Sequence, residues 1–226
     1  MNISINQPYL FPHVKYFQLI SQSEIFVIYD DVQYIKKSWI NKNRLNNHLV
    51  EKKINIPIKK QKRHTLIKDI LISKEHFHDS ITDMRASIHK MYKNSEEKDF
   101  ILNLLEQSLL LESEYLEKYT IFFIESICNF LELNFDIKKS STLGYVKKDN
   151  SEENIISIVK KLGGDVYLNL DGGKSLYNKD IFSQNNIELK FISDVYKDNS
   201  KIDNNYSVVS HLLTDGRKVT ASYISL

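Results

Sequence analysis

The residues best suited to chemistry are two consecutive aspartates, Asp30 and Asp31, at the end of a short apolar run. The run, Ile25–Tyr29, has the length and composition of a buried strand. Ligands of α/β proteins bind beyond the carboxyl ends of such strands, where a carboxylate can accept a proton from a reacting group. The surrounding stretch, Ile3–Gln33, also contains an alternating strand and a turn stiffened by two prolines. We therefore predict that this stretch forms the working end of the protein.

Two later loops carry groups that can bind phosphate. Ser140, Ser141 and Thr142 follow a predicted strand and offer hydroxyl and main-chain donors, although such residues more commonly cap a helix or turn. The second loop, Asp171–Ser175, follows the apolar strand Asp165–Leu170 and combines two glycines with a lysine. It lacks the G-x-x-x-x-G-K-[ST] spacing of a P-loop, so it predicts a ligand loop without ATP hydrolysis.

Two basic segments lie on either side of another predicted strand. The first, Tyr34–Arg44, reads YIKKSWINKNR and contains Trp39, the single tryptophan of the chain. Arg and Asn donate hydrogen bonds in fixed geometry, so this segment suits a phosphate or sugar hydroxyls. A solvated hairpin with Trp39 at the edge of the core fits equally well. The second segment, Lys59–Arg63, is consistent with either an anion site or a solvated loop.

These loops need regular elements to position them, and hydrophobic periodicity supplies the candidates. Strands are predicted around Ile3 and Ile5 and at Ile25–Tyr29, Lys52–Ile58, Leu66–Ile72, Phe135–Lys139, Asp165–Leu170 and Ile187–Ile192. Helices are predicted after Pro12, at Phe77–Met91, Phe100–Leu109, Tyr115–Leu131, Asn150–Leu162 and Ile181–Asn185, and as closing helices at Ser207–Leu213 and Val219–Ile224. This order predicts a single α/β domain over residues 1–226, with a mainly parallel sheet, helices on both faces and a helical insertion at about 75–134.

The composition of the chain argues against several classes of function. The 226 residues carry a net charge of +2, which gives no general signal for nucleic acid. A single cysteine, Cys128, excludes an internal disulfide and a cysteine-based metal cluster, and its apolar helical segment indicates a buried, inert thiol. The histidines lack the spacing of shared metal ligands, so no metal is expected. With no signal peptide and no membrane-spanning run, we expect a cytoplasmic protein without membrane insertion.

The motifs NQPYLFP, YDDVQY and WINKNR, in this order, resemble those of the WbqC-like protein family, as do the later segments SSTLG, KLGGDVYLN and DGGKSLY. The resemblance spans nearly the whole chain. Members of this family are associated with gene clusters for O-antigen (lipopolysaccharide) and other bacterial surface polysaccharides, alongside enzymes that make nucleotide-linked amino sugars. The resemblance therefore implies modification of a nucleotide-linked sugar. The chain departs from the family pattern at His13 and Lys15, where an aromatic residue and a glycine are expected.

A weaker similarity connects the start of the chain with the nucleotidylyltransferases. Their HxGH motif places two histidines against nucleotide phosphates at a helix N-terminus. His13 and Tyr16 occupy the positions of these histidines, and Lys15 replaces the glycine, where it would crowd the phosphate path. Ser140–Thr142 is similar to their second phosphate-binding signature. The similarity implies a Rossmann-like fold with a nucleotide-shaped pocket and gives little support for nucleotidyl transfer itself.

Taken with the resemblance, these residues lead us to expect a transferase that adds an acyl or aminoacyl group to the amine of a nucleotide-linked sugar. Such a transfer needs a base for the amine and donors for the tetrahedral oxyanion. The predicted catalytic residues are Asp30, Asp31 and His13. Arg44, Lys59 and Lys60 would hold the diphosphate or a phosphopantetheine arm. The predicted substrate contacts are Gln7, Tyr9, Tyr16, Gln33, Trp39, Asn41, Asn43, Arg44, Lys59, Ser140, Ser141, Asn169, Gly172, Gly173 and Tyr177.

The acyl donor would be coenzyme A or a carrier-protein thioester, with an acyl carrier protein as a partner. It would be made by another enzyme, because the chain has no recognisable ATP-grasp or adenylation motif. Two alternatives stay open. One is a nucleotidylyltransferase-like enzyme or ligase with a degenerate HxGH motif, and the other is a non-catalytic binding partner in the same pathway.

Overall fold

A five-stranded parallel sheet forms the centre of the computed structural model, which describes residues 1–36, 38–196 and 202–225. Its first strand is buried on both sides, with Ile3 and Ile5 facing one side and Ser4 facing the other. Ile3 pairs in register with Ile25, which fixes the neighbouring strand. The strands are β1 (Asn2–Asn6), β2 (Ile25–Ile28), β5 (Ile137–Lys139), β6 (Val166–Asn169) and β7 (Glu188–Phe191).

The order of the strands across the sheet is β5-β2-β1-β6-β7. The chain therefore moves outward from β1 in one direction, through β2 to β5, and then returns to the other side of β1 with β6 and β7. The connection reverses between β1 and β6, and ligands of open α/β sheets bind at the carboxyl ends of the strands at such a switch point. This topology confirms the predicted Rossmann-like fold.

Helices cover both faces of the sheet and bury separate sets of apolar residues. One face packs against α1 (Val14–Ser21), α7 (Val208–Asp215) and α8 (Arg217–Ile224), with Phe17 and Phe26 in the core. The opposite face packs against α5 (Ser151–Lys161) and α6 (Lys179–Gln184). Asn150 is the N-cap of α5, because its side chain accepts a hydrogen bond from the Glu152 amide at 2.9 Å.

The predicted helical insertion comprises α2 (Lys74–Met91), α3 (Lys98–Ser108) and α4 (Leu116–Phe130). These helices share the core of the α1 face, where the rings of Phe11 and Phe123 lie 4.4 Å apart between centroids. Because the shared core is continuous, the insertion packs directly against the turn that follows β1. Within the described residues, no helix has the length and apolar character needed to cross a membrane.

A separate antiparallel hairpin precedes the insertion and consists of β3 (Lys42–Asn46) and β4 (Glu51–Asn55). The prediction of a strand over Leu66–Ile72 is wrong. The segment forms a short 3₁₀ turn at Ile67–Asp69, flanked by isolated bridges. Ile67 and Ile70 are both fully buried, and this spacing of three residues suits a helical turn rather than the alternation of a strand.

Candidate functional site

Asp30 lies at the carboxyl end of β2 and is fully buried. Its Oδ1 accepts hydrogen bonds from the Ser140 hydroxyl at 2.8 Å and the Ser141 amide at 2.9 Å, while its Oδ2 accepts from the Ser141 hydroxyl at 2.6 Å. Burial alone would raise the pKa of Asp30, but the hydrogen bonds from Ser141 and Ser140 outweigh burial and hold the pKa below its usual value. A buried carboxylate of this kind joins β2 to the end of β5 and has no exposed oxygen to offer a substrate.

Asp31 is more accessible than Asp30, with about a tenth of its side chain exposed. The Ser140 oxygen also lies 2.5 Å from the Asp31 Oδ1, so its single hydrogen is shared between the two carboxylates, and the Tyr145 hydroxyl donates to the Asp31 Oδ2 at 2.8 Å. The ammonium of Lys147 lies 3.3 Å from the same Oδ2. The structure therefore brings together the predicted residues Asp30, Asp31, Ser140 and Ser141, but it does so through hydrogen bonds among themselves.

Two charged residues that the sequence did not single out complete this cluster. Glu117, in the first turn of α4, is 5% exposed, and its Oε1 accepts a hydrogen bond from the Lys139 ammonium at 2.9 Å. Lys139 also lies 4.0 Å from the Asp30 carboxylate. Burial raises the pKa of Glu117, and Lys139 only partly opposes the rise. An acidic residue in the first turn of a helix is ordinary, so the sequence carried no signal for this role.

The turn after β1 is held by side chains from two directions. The Tyr16 hydroxyl, on a fully buried side chain, donates to the Gln7 main-chain carbonyl at 3.0 Å. Phe11 adopts a left-handed backbone with φ of 45°, a conformation that a bulky residue seldom takes. The Asn43 amide donates to the carbonyls of Leu10 at 2.8 Å and Phe11 at 2.6 Å. Tyr16 and Asn43 therefore hold the turn after β1 in its shape. Asn43 uses both hydrogens of its side-chain amide in these bonds, so neither is left for a ligand.

His13 is the N-cap residue of α1, directly after this turn. Its Nδ1 is buried and finds no hydrogen-bond partner in the part of the chain that the structure describes. Burial, together with the nearby positive charge of Lys15, lowers the pKa of His13 to about 4. The imidazole is therefore neutral at pH 7, and the same low pKa makes it a weaker proton acceptor than an ordinary histidine.

The loop after β6 faces the same end of the sheet. Asn169 is nearly buried, and its Oδ1 accepts a hydrogen bond from the Leu170 amide at 2.8 Å. Gly173 lies so close to this side chain that a Cβ there would come within 2.4 Å of the Asn169 Nδ2 and 3.3 Å of the Tyr177 ring. Gly172 has open space at the corresponding position. The carboxyl ends of β1 and β6, with the loops 7–13 and 170–177, are named the switch-point edge below.

An ion pair joins the two loops of the switch-point edge. The Lys15 ammonium lies 3.3 Å from the Asp171 Oδ2, and the Lys174 ammonium lies 3.2 Å from the Asp171 Oδ1. Lys15 thus occupies the first turn of α1 with a charged side chain that reaches across to the β6 loop. At position 15, where a glycine was expected, Lys15 therefore forms an ion pair between α1 and the loop after β6.

Several tyrosines lie close together at this end of the sheet. Burial raises the pKa of Tyr9, with a further rise from the neighbouring Tyr177. Burial likewise raises the pKa of Tyr29, which adjoins both Tyr177 and Tyr145. Their hydroxyls consequently stay protonated at neutral pH and act as neutral hydrogen-bond donors and acceptors. Aromatic rings with hydroxyl tips suit the apolar faces and hydroxyl edges of a sugar.

Other predicted contacts lie on or near the hairpin or on the surface. Asn41 is buried, and its amide donates to the Ile56 carbonyl at 2.9 Å, which gives it a structural hydrogen bond. Trp39 and Arg44 line a cavity on the hairpin. Gln33 is exposed and lies 3.2 Å from His64. The exposed Lys59 pairs with Glu114 at 3.7 Å, outside the switch-point edge.

The described residues contain no group of three or more His, Cys, Asp or Glu side chains arranged to hold a metal ion. His211 lies 3.0 Å from Asp215 and packs against Tyr223. Cys128 is buried, as predicted, and burial raises the pKa of its thiol. These groups are consistent with packing roles.

The strand order and the polar loops at the switch point define a Rossmann-like α/β protein. The chain belongs to the WbqC-like protein family, whose model matches residues 7–218. It is similar to "Uncharacterized protein Rv1507c" of Mycobacterium tuberculosis (strain ATCC 25618 / H37Rv), with 24% identity over 212 residues that cover 87% of this chain and 84% of the relative. No solved structure is significantly similar to the chain.

Proposed function

We propose that the protein transfers an acyl or aminoacyl group to the amine of a nucleotide-linked amino sugar used for bacterial surface polysaccharide. The observation that carries this proposal is the state of His13. A neutral imidazole with a buried, unpartnered Nδ1 among the described residues lies at the start of α1, beside the switch point of the sheet. Open α/β sheets bind their ligands at this point, and nitrogen acylation requires a neutral base there.

The reaction assigns a role to each group. The lone pair of the sugar amine attacks the thioester carbonyl carbon, and the carbonyl oxygen becomes an oxyanion. His13 accepts the proton that leaves the nitrogen, the oxyanion then re-forms the carbonyl as the C–S bond breaks, and His13 returns the proton to the sulfur so that the donor leaves as a thiol. Because the folded-state pKa of His13 is about 4, the imidazole is unprotonated at neutral pH. Its low basicity means that it accepts the proton only once the C–N bond has formed and made the nitrogen acidic.

The oxyanion and the sugar would be held by groups of the switch-point edge. The Gln7 side-chain amide makes no hydrogen bond to the described residues, while its main chain is fixed by Tyr16. A fixed main chain with a free amide is well suited to stabilise a developing negative charge. Tyr9 and Tyr177 offer ring faces to the sugar, and Gly173, which lacks a Cβ, leaves room for the Asn169 amide beside the Tyr177 ring.

Asp30 and Asp31 take different parts in this proposal. Asp30 acts as a positioning residue, because its carboxylate is saturated by Ser140 and Ser141. Asp31 keeps some exposure and has Tyr145 as a neighbour, so it can orient a hydroxyl or amine of the substrate. His13 therefore replaces Asp30 as the preferred base.

Nucleotidyl transfer through an HxGH-type motif is disfavoured by the position of Tyr16. Its side chain is fully buried and its hydroxyl is committed to Gln7, so it cannot take the place of the second histidine against a phosphate. One observation supports the alternative of a non-catalytic binding partner. The hydrogen bonds that Asp30 accepts from Ser140 and Ser141 are typical of a residue with a structural role.

The test is to incubate the protein with nucleotide-linked sugars that carry a free amine and with acyl-coenzyme A or acyl-carrier-protein thioesters. Mass spectrometry of the sugar detects the acylated product. We expect product with at least one pair, and we expect His13→Gln to reduce the rate by about 10²-fold or more, the usual contribution of a general base.

The matched control is His89→Gln, because His89 is an exposed histidine on α2. It should keep the full rate. If no pair of donor and acceptor gives product, or if His13→Gln is as active as His89→Gln, the proposed reaction or the proposed base is refuted. Thermal shift with each substrate alone then shows whether the protein still binds one of them, as a non-catalytic partner would.

A further inference from the structure

The outer face of the hairpin concentrates positive charge. Residues 42, 44 and 46 of β3 alternate with buried ones, so Lys42 and Arg44 share the outer face. Arg44 pairs directly with Lys53 of β4 in the antiparallel register. Like charges at opposed positions of two strands repel each other.

A cavity of about 380 Å³ opens on this face. It is lined by Ser38, Trp39, Lys42, Asn43, Arg44 and Lys53, together with Ile54 and Asn55. Arg44 has one carboxylate neighbour, Glu51 at 3.5 Å, and both side chains are about a third exposed. Within the described residues, Lys42 and Lys53 form no ion pair. Among the described residues, the lining contains three cations and no carboxylate.

The cavity also has one aromatic wall, the ring of Trp39. The Arg44 guanidinium carbon lies 5.5 Å from the ring centroid of Trp39 and 5.5 Å from that of Tyr206, which lies outside the lining. The Ser38 hydroxyl is buried and has no hydrogen-bond partner among the residues described. A ligand that combines negative charge with a planar ring would satisfy all of these groups.

We propose that this cavity is a nucleotide-binding site, in which Lys42, Arg44 and Lys53 hold phosphate and Trp39 contacts the base. The inference goes beyond the proposed reaction, because it concerns binding at a second place and requires no chemistry there. The site is joined to the turn after β1. The Leu10 amide donates to the Trp39 carbonyl at 2.9 Å, and Asn43, which lines the cavity, holds the Leu10 carbonyl. A bound nucleotide would therefore lie next to the residues that shape the switch-point edge.

Nucleotide phosphates can come from two sources, a nucleotide-linked sugar or coenzyme A. Trp39 allows a direct measurement because it is the single tryptophan of the chain. The protein is titrated with UDP-N-acetylglucosamine, coenzyme A, ADP and inorganic pyrophosphate while tryptophan emission is recorded. We expect at least one nucleotide to change the emission with a saturable curve and to bind more tightly than pyrophosphate. Tighter binding of coenzyme A assigns the cavity to the donor, and tighter binding of the sugar nucleotide assigns it to the acceptor.

The variants separate a phosphate site from general charge attraction. The double variant Lys42→Gln with Lys53→Gln should weaken nucleotide binding by about tenfold or more, which corresponds to the loss of charge-assisted contacts to phosphate. The control variant Lys118→Gln with Lys161→Gln removes the same number of charges from exposed positions on α4 and α5. It should bind as the unmodified protein does.

Three outcomes would overturn the proposal. They are an unchanged tryptophan emission at millimolar nucleotide, equal weakening by the double variant and its control, and equal affinity for pyrophosphate and nucleotides. Far-ultraviolet circular dichroism confirms that each variant is folded, and Lys53→Gln alone serves if the double variant is not. A failure here leaves the acyl-transfer assay unaffected, because that assay follows the product and the His13 variant.

Discussion

Asn43 and Phe11 are joined by a hydrogen bond of 2.6 Å from the asparagine amide to the phenylalanine carbonyl. Phe11 has a left-handed backbone, which is strained for a bulky side chain and persists only where neighbours enforce it. The hairpin supplies that enforcement from a distance of 32 residues in sequence. The shape of the turn that carries Gln7 and His13 thus depends on a residue outside it.

Replacing Asn43 with alanine should destabilise the protein by about 1–3 kcal/mol, because two buried carbonyls would lose their donor. Urea unfolding followed by circular dichroism measures this change. The exposed Asn94 provides the control, and Asn94→Ala should change the free energy of unfolding by less than about 0.5 kcal/mol. Equal effects of the two substitutions would show that the Asn43 hydrogen bonds do not hold the turn.

The parts of the fold that depend on local pattern were predictable, and those that depend on pairing across the sheet were not. Hydrophobic periodicity located β2 and the three insertion helices, since burial in these elements follows the period of the backbone. Ser140 was predicted as a phosphate donor or a cap, and Asp30 as a base. They satisfy each other across 110 residues because β2 and β5 are neighbours in the sheet, which no local pattern reveals. Glu117 entered the same cluster through tertiary packing alone.

The pKa of His13 should be about 4 when it is measured by NMR titration of the imidazole protons. Because the folded-state pKa lies below the ordinary value of about 6.5, the unfolded chain binds the proton first. The contribution of His13 to stability is therefore fully present above about pH 6.5 and declines as the pH falls towards 4. His13→Gln should lack this part of the pH dependence of unfolding.

Lys15 supplies a second check on His13. Its charge contributes to the low pKa after burial, so Lys15→Gln should raise the pKa of His13 while leaving it below the ordinary value. Lys161→Gln, on the opposite face of the sheet, should leave the titration unchanged. A His13 pKa near 6.5 in the unmodified protein would contradict the burial of its Nδ1.

Arg44 and Lys53 face each other across the hairpin, so removing one of the two positive charges should stabilise the folded protein. Lys53→Gln should raise the free energy of unfolding by about 0.2–1 kcal/mol at low salt, with a smaller gain at high salt because salt screens exposed charges. Lys42→Gln is the matched control, since Lys42 faces the neutral Asn55 in the same hairpin. Urea unfolding at two salt concentrations measures both. If Lys53→Gln is destabilising at low salt, the two cations do not repel each other in the folded protein.

Gly173 and Gly172 are adjacent, yet they should respond differently to alanine. A Cβ at Gly173 would lie 2.4 Å from the Asn169 Nδ2, so the amide must move and the loop after β6 must adjust. Overpacking of this kind costs about 1–3 kcal/mol. At Gly172 a Cβ meets no heavy atom within 4 Å, so Gly172→Ala should leave stability nearly unchanged. Thermal unfolding gives the stability difference, and the acylation assay gives the effect on function.

Because Asn169 and Tyr177 both adjoin Gly173, Gly173→Ala should also weaken binding of the sugar nucleotide, seen as a higher KM, whereas Gly172→Ala should retain it. Equal KM values for the two variants would place the substrate away from the β6 loop.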